Sequence, residues 1–267
     1  MIVDTHVHVA CADIGRYPRA PRGVGSDWWR SGDHGGDALV ATIARAGVDR
    51  AVVVQAVGPY GYDCRCATDA ARADPDHLAL VVAVDPDAPA PGEDLRAVAR
   101  IAPVAGVRVF GVGGAPQAWL TDGRAASHTE AAGDLGVTVV PTVMPPSLAA
   151  IATLVGANPD VAVALDHAGF PDLPLTDDSP VLALAELRAV HLKVSSHLLE
   201  AAPDPVALVG RLGAAFGADR LSWGSDYPQT SLDYAALLGL GRAAAACLTP
   251  AERDAFLGGT AVRLGWG

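Results

Sequence analysis

Cysteine is scarce in this 267-residue sequence, and no long apolar run interrupts it. The four cysteines are Cys11, Cys64, Cys66 and Cys247, whose spacing matches no zinc ribbon, so we expect free thiols. No basic leader followed by an apolar segment precedes residue 4, and no apolar stretch reaches the roughly 18 residues of a membrane span. These absences predict a cytoplasmic protein without a signal peptide or a transmembrane helix.

Basic residues are the second shortage. The chain has 19 Lys and Arg against 30 Asp and Glu, a formal net charge of -11, so a phosphate backbone would be repelled. The most arginine-dense stretch, RYPRAPRGVGSDWWR, is broken by proline and glycine and predicts a loop. We therefore expect a small-molecule substrate and neither a nucleic-acid nor a membrane partner, while the sequence leaves a homo-oligomer open.

What the sequence has in abundance is short runs of Val, Ile and Leu. Their starts are mostly about 25 to 30 residues apart, and segments of helical character lie between them. Alternating strands and helices imply parallel pairing through right-handed crossovers. The runs are 2–9, 51–57, 78–84, 106–112, 136–143, 161–168, 190–197 and 220–227.

Eight such units predict an α/β fold, a (β/α)8 TIM barrel formed as a single domain over 1–267. The alternative is an open doubly wound sheet. That alternative is disfavoured because no G-x-G-x-x-G follows the early strands, and GVGGAP after the fourth run has the wrong spacing for dinucleotide binding.

The first run contains D-T-H-V-H, which places His6 and His8 on one face of a strand, since successive side chains alternate between faces. An isolated pair of this kind could simply lie on the solvent-exposed face of a half-buried strand. In a barrel, however, active sites lie at the carboxyl ends of the strands. Other runs end in ionisable or polar groups as well, namely Gln55, Arg108, Asp166, His167, Lys193, Ser195, His197 and Asp226.

His6, His8 and Asp226 are expected to converge where the first and eighth strands of a closed barrel meet. Two imidazoles and a carboxylate could hold one divalent cation, with zinc the preferred ion. The same groups could also work without metal, with Asp226 as the general base on water and the imidazoles polarising a carbonyl. The residues alone leave both routes open.

The motifs DTHVH, ALDHAGFP, LKVSS and WGSDYPQT, in this order and at barrel spacing, resemble the amidohydrolase superfamily, most closely its amidohydrolase-2 branch. The resemblance covers nearly the whole chain and implies a lactonase-like hydrolase. It makes His6 and His8 the first-strand pair, His167 the sixth-strand histidine and Asp226 the residue that activates water.

The chain departs from the binuclear members that it resembles. Arg108 occupies the fourth strand, where those members have a carboxylated lysine or a glutamate, and the fifth strand, VVPTVMP, has no histidine. We therefore expect at most one metal ion, or none. Arg108 is suited to hold a substrate carboxylate by bidentate hydrogen bonds.

Several further residues could have either a functional role or a purely structural one. Gln55, Tyr60, His197 and Tyr227 are candidate substrate contacts, although loop tyrosines such as Tyr62 more often pack with the hydroxyl in water. Lys193 is either a substrate ligand or, as we expect, a buried ion-pair partner of Asp4 or Asp166. Asp166 is expected to point away from His167 in a structural hydrogen bond. Trp28, Trp29 and His34 form either a lid or a cap, and His77 and His128 are expected at the surface.

These expectations combine into a hydrolase that opens a small, carboxylated lactone or related cyclic ester. Two rivals stay open. The first is a non-oxidative decarboxylase of the same superfamily, whose characteristic fifth-strand histidine is missing. The second is a ligand-binding or non-hydrolytic barrel, against which the complete set of His6, His8, His167 and Asp226 argues.

Overall fold

Eight parallel strands pair in chain order in the computed structural model, which describes residues 1–21, 26–30, 32–112, 118–120 and 122–267. Most of them are buried along their whole length, because helices cover the outer face and packed side chains fill the inside. The strands are β1 Val3–Val7, β2 Arg50–Val54, β3 Leu78–Ala83, β4 Val104–Gly111, β5 Thr138–Val143, β6 Val163–Leu165, β7 Val190–Ser195 and β8 Leu221–Gly224.

Helices follow the strands and surround the sheet, which confirms the predicted (β/α)8 barrel. Apolar positions at helical spacing, such as Leu39 and Ile43, face the strands. The α-helices are α1 Gly36–Ala46, α2 Val57–Tyr60, α3 Arg65–Ala73, α4 Pro91–Ala99, α5 Arg124–Leu135, α6 Leu148–Ala157, α7 Pro180–Ala183, α8 Ser196–Ala201, α9 Pro205–Phe216, α10 Tyr234–Ala244, α11 Pro250–Asp254 and α12 Thr260–Arg263.

The barrel closes where β1 meets the segment that follows β8. The backbone N–H of Asp226 donates to the carbonyl of His6 (2.9 Å), and the N–H of His8 donates to the carbonyl of Tyr227 (2.8 Å). Gly224 makes this approach possible, since a Cβ there would lie 2.8 Å from the Cβ of His6. The seam therefore brings the first-strand histidines beside Asp226.

Most strands end earlier than the sequence predicts, and two of these ends coincide with left-handed backbone. β6 stops at Leu165 because His167, Ala168 and Phe170 have φ near +50°, and β8 stops before Asp226, whose φ is 58°. Side chains other than glycine rarely adopt this left-handed region, so the apolar runs 161–168 and 220–227 could not reveal these turns. Such strained residues cluster at functional sites.

The expectation of four free thiols is wrong. Cys11 and Cys66 form a disulfide with a Cα–Cα distance of 5.9 Å, whereas Cys64 and Cys247 are free. The sequence separation of 55 between the two partners hid the pair, yet β1 and β2 are neighbours and bring the segments that follow them together. Disulfides are most common in oxidising compartments, so the cytoplasmic location stays a prediction.

Within the described ranges, no helix is both long and apolar enough to cross a bilayer. The RYPRAPRGVGSDWWR loop is described apart from 22–25, and most of GVGGAP lies outside the described residues.

The two histidines that were expected at the surface differ. His77 is exposed, as predicted, and it pairs with Asp74 (2.7 Å). His128 is instead buried, with its ring against Trp119, because it lies on the inner face of α5. That face could not be recognised from the mixed composition of the helix, in which polar residues surround His128.

Candidate active site

A cavity of about 520 Å³ opens at the carboxyl ends of the strands, and we call it the mouth cavity. Its volume lies within the range of about 300–1,000 Å³ that is typical of small-molecule sites. Its described lining is His8, Ser26, Trp28, Ala56, Val57, Gly58, Pro59, Arg108, Phe110, Val112, Thr142, Met144, His167, Phe170, His197, Asp226 and Gln229.

Three acceptor atoms meet at the bottom of this cavity. His6 Nε2 and His8 Nε2 lie 3.3 Å apart, and Asp226 Oδ1 is 3.6 Å and 3.5 Å from them. We call these three atoms the acceptor cluster. All three residues are buried, and the barrel seam holds them together.

Hydrogen bonds behind the two imidazoles decide which nitrogen carries the proton. His8 Nδ1 lies 2.8 Å from the carbonyl oxygen of Val54, and His6 Nδ1 lies 3.1 Å from Asp166 Oδ1. Because a carbonyl or a carboxylate can only accept, both Nδ1 atoms donate. In the neutral rings the Nε2 atoms therefore present lone pairs to each other and to Asp226.

The acceptor cluster fits a cation. Asp226 Oδ1 is buried and has no hydrogen-bond donor among the described residues. Ligands about 2.0–2.1 Å from a tetrahedral zinc ion lie roughly 3.3 Å from one another, which is close to the separations in the cluster. His6, His8 and Asp226 thus have the spacing and the chemistry to hold one divalent ion.

Asp166 lies immediately behind the acceptor cluster, where four polar side chains contact it, two through hydrogen bonds and two through ion pairs. Lys193 Nζ (2.8 Å) and His6 Nδ1 approach its Oδ1, whereas Thr142 Oγ1 (2.7 Å) and Arg108 Nε (3.3 Å) approach its Oδ2. Lys193 is therefore the buried ion-pair partner of Asp166, one of the two pairings that the sequence predicts.

Asp166 does not point away from His167, contrary to the sequence-based expectation. One ligand atom each of His6, Asp166 and His167 lies within 4.8 Å of the others. The left-handed turn at His167 breaks the alternation of a strand, so consecutive side chains reach the same side of the barrel.

Burial and neighbouring charges set the protonation of these groups. Burial lowers the pKa of His167 to about 4 and that of His6 well below its usual 6.5, so both are neutral imidazoles near pH 7. Burial alone would raise the pKa of Asp226, but a hydrogen bond from His8 and the charges of the neighbouring imidazoles, when these rings carry a second proton, lower this pKa below its usual range. Burial would likewise raise the pKa of Asp166, but Lys193 and His6 keep it well below 3.8. The site therefore presents carboxylates beside neutral imidazoles.

His167 and His197 form the side of the cavity that follows β6 and β7. His167 Nδ1 is 2.8 Å from Ser195 Oγ, which fixes the ring, and the His197 ring meets it edge-on at 6.4 Å. Phe170 packs against the other side of His167, with ring centroids 4.6 Å apart. Both histidines line the cavity.

Arg108 also lines the cavity, whereas three other sequence candidates lie behind its described lining. The amide of Gln55 donates to the carbonyls of Gly61 and Asp63, so it supports a loop. The Tyr60 hydroxyl accepts from the N–H of Cys11. The carbonyl of Tyr227 belongs to the barrel seam. These hydrogen bonds favour structural roles for Gln55 and Tyr60, and the Tyr227 ring packs edge-on against His34 and Tyr234.

The long first loop contributes an aromatic wall. Trp28 stacks over His8 with a centroid distance of 6.0 Å, and His34 meets the edge of Trp28. Trp28 thus lines the cavity, while Trp29 packs with Arg19 and Arg30.

Sequence reasoning missed several lining residues, namely Phe110, Thr142, Met144, Phe170 and Gln229. The strand period could have identified two of these. Phe110 is two residues beyond Arg108, and Met144 is two residues beyond Thr142, so each pair shares one face.

Comparisons with known proteins agree with this architecture. Residues 3–264 match the amidohydrolase family. The chain is 33% identical over 225 residues to an L-fucono-1,5-lactonase from Burkholderia ambifaria, which covers 77% of this chain and 76% of that protein.

Solved structures of similar proteins share the fold along the whole chain. A protein from Pseudomonas putida described as a 2-pyrone-4,6-dicarboxylic acid hydrolase is 26% identical, with a TM-score of 0.79 over 99% of this chain and 97% of that one. A zinc-bound amidohydrolase from Burkholderia multivorans has the same TM-score at 24% identity, over 99% and 98% of the two chains.

Proposed function

The chain belongs to the amidohydrolase family, and from this premise we propose that its single barrel hydrolyses the ester bond of a small lactone, with Asp226 accepting the proton of the attacking water. The observation that carries the proposal is the acceptor cluster at the bottom of the mouth cavity. A carboxylate and two imidazole lone pairs meet there beside His167 and Arg108. A water held by these groups would be in reach of the carbonyl carbon of a lactone bound in the cavity.

The proposal includes at most one divalent ion, held by His6, His8 and Asp226, with zinc the preferred species. When bound, such an ion supplies Lewis acidity and lowers the pKa of a bound water. A second ion at His6, Asp166 and His167 would compete with the ammonium of Lys193, which is 2.8 Å from Asp166. This competition supports a mononuclear site over a binuclear one.

The reaction follows from the protonation of the site. Asp226 is a carboxylate at neutral pH and takes a proton from water as the water oxygen attacks the lactone carbonyl. His167 can offer an Nε2–H to the developing oxyanion because its Nδ1 is engaged with Ser195, whereas His6 and His8 present lone pairs and would contribute there by holding the divalent ion. The bond to the ring oxygen then breaks, and that oxygen takes the proton from Asp226 to give the hydroxy acid.

Arg108 is the proposed contact for a substrate carboxylate. Thr142 and the carbonyl of Gln55 accept from its Nε and Nη1, which fix the plane of the guanidinium. Among the described contacts these use two of its five N–H groups. Within the described part of the chain the other N–H groups are available to a carboxylate in the cavity, and bidentate pairing suits this geometry.

Hydrolysis of a lactone panel by the purified protein tests the proposal. Ring opening near neutral pH releases one proton per lactone and no carbon dioxide, so proton release and carbon dioxide are measured together, alongside the metal content. Proton release without carbon dioxide supports lactone hydrolysis. Carbon dioxide release from aromatic carboxylates, with every lactone left intact, would favour the decarboxylase instead.

A further inference from the structure

We propose that the preferred substrate is a lactone with one carboxylate and an apolar substituent, rather than a polyhydroxylated sugar lactone or a dicarboxylate. This inference rests on the proposed function and narrows its substrate class. It is carried by the way in which polar and apolar side chains are layered in the mouth cavity.

The polar layer lies deep in the barrel. Arg108 and Thr142 come from neighbouring strands, are buried, and bond to each other (2.8 Å) and to Asp166. Together with the acceptor cluster they form the floor of the cavity. The charged carboxylate of a carboxylated lactone and its neutral, polar ester group are best matched at this level.

The apolar layer lies one step nearer the opening. Along β4 and just beyond it, Phe110 and Val112 follow Arg108 at the strand period, and Met144 follows Thr142 in the same way. The guanidinium carbon of Arg108 is 4.9 Å from the Phe110 ring centroid, so the two layers are in direct contact. Phe170 completes this apolar wall, which is Phe110, Val112, Met144 and Phe170.

The apolar wall is only partly buried and continues into Trp28, Val57 and Pro59 on the opposite side of the cavity. An apolar group of the ligand that covers these partly exposed side chains is removed from water together with them. Each buried methylene raises the affinity of the ligand about fourfold. A phenyl or alkyl substituent that projects from the floor towards the opening would be covered in this way.

A sugar lactone fits the wall poorly. Its ring hydroxyls would face Phe110, Met144 and Phe170, and each hydroxyl that loses water without a new partner reduces affinity severalfold to about a hundredfold. A second carboxylate on the substrate would lose water without gaining a cationic partner, because Arg108 is the only Arg or Lys among the described residues that line the cavity.

The test compares three six-membered lactones. The first has a carboxylate and a phenyl group, the second is the same carboxylated lactone without the phenyl group, and the third is a polyhydroxylated 1,5-lactone. We expect kcat/KM to be at least about tenfold higher for the first than for the second, and lowest for the third. Binding of the corresponding hydroxy-acid products, measured by calorimetry, should follow the same order.

A matched pair of variants locates the preference. Met144→Gln should reduce the ratio of kcat/KM between the first two lactones at least about threefold. Ile101→Gln, at a residue that is 64% exposed and outside the described lining, should leave the ratio as in the wild type. An unchanged ratio in Met144→Gln would overturn the role of the wall.

The remaining outcomes separate the two proposals. Fastest hydrolysis of the polyhydroxylated lactone would overturn the apolar substrate class and leave lactone hydrolysis in place. A different result would be that none of the three lactones is hydrolysed while the phenyl-bearing product still binds more tightly than the unsubstituted product. The apolar wall would then bind as inferred, but the proposed function, and the lactone class with it, would be wrong.

Discussion

Each side chain of the floor is held by a partner that determines what it can donate or accept. Asp166 keeps the proton of His6 on Nδ1, and the carbonyl of Val54 does the same for His8. Groups of this kind orient metal-binding histidines and tune their basicity. The chemistry of the acceptor cluster therefore depends on residues that substrate would never touch.

Asp166→Asn is expected to weaken zinc binding about 10- to 100-fold, the usual effect of losing such a partner. The amide can donate to His6 Nδ1, which would move the ring proton to Nε2 and into the cluster. Zinc affinity is measured by competition with a coloured chelator, with the exposed Asp178→Asn as the control. Equal affinity in Asp166→Asn and the wild type would contradict this role.

Arg108→Met should chiefly raise KM for a carboxylated lactone, because the lost contact is present in the ground state and the transition state alike. Steady-state kinetics on a carboxylated and an uncharged lactone measure the effect. We expect KM to rise about tenfold or more for the carboxylated lactone and to stay unchanged for the uncharged one. This is the scale of one charge-assisted hydrogen bond. A similar loss of kcat on both substrates would assign Arg108 to the chemical step.

At the scale of strands and helices, the barrel seam joins fold and site. Gly224→Ala would place a Cβ 2.8 Å from the Cβ of His6 and 3.1 Å from its backbone nitrogen, so β1 and β8 must separate. We expect the free energy of unfolding to fall by about 1–3 kcal/mol, as in overpacked cores. Urea denaturation measures this change.

Gly239→Ala is the matched control for that variant. This glycine lies within α10, and a Cβ there would meet no atom within 4 Å. Alanine should therefore raise the free energy of unfolding by about 0.5–1 kcal/mol. If the two glycine variants had equal stability, close packing at the seam would not be what requires Gly224.

The sequence predicts the strand order and the meeting of His6, His8 and Asp226, because neighbouring strands of a parallel barrel place their carboxyl ends together. It does not predict the left-handed turns at His167 and Asp226, whose backbone conformation leaves no mark in the apolar pattern. It also misses the contact of Thr142 with Asp166, which depends on the register between strands. The Cys11–Cys66 disulfide was missed for a similar reason, since spacing along the chain says nothing about adjacent loops.

At the scale of the whole molecule, buried histidines link stability to pH. Burial lowers the pKa of His167 to about 4, whereas in the unfolded chain it is near 6.5. The unfolded state therefore binds more protons between about pH 6.5 and pH 4, and the stability from the neutral ring is lost as pH falls through this window. We expect a loss on the order of 3 kcal/mol from this group, measured by urea denaturation at several pH values. His167→Gln should flatten the curve in this window, and a curve as steep as that of the wild type would contradict the assignment.

The central claim is that Asp226 drives lactone hydrolysis, and Asp226→Asn tests it most directly, because the amide keeps the shape and removes the proton acceptor. The measurement is kcat of this variant and of the wild type on the best lactone found, after both proteins are shown to be folded. The account predicts a fall of at least about 100-fold, the scale of losing a general base. Turnover by Asp226→Asn close to that of the wild type would contradict it.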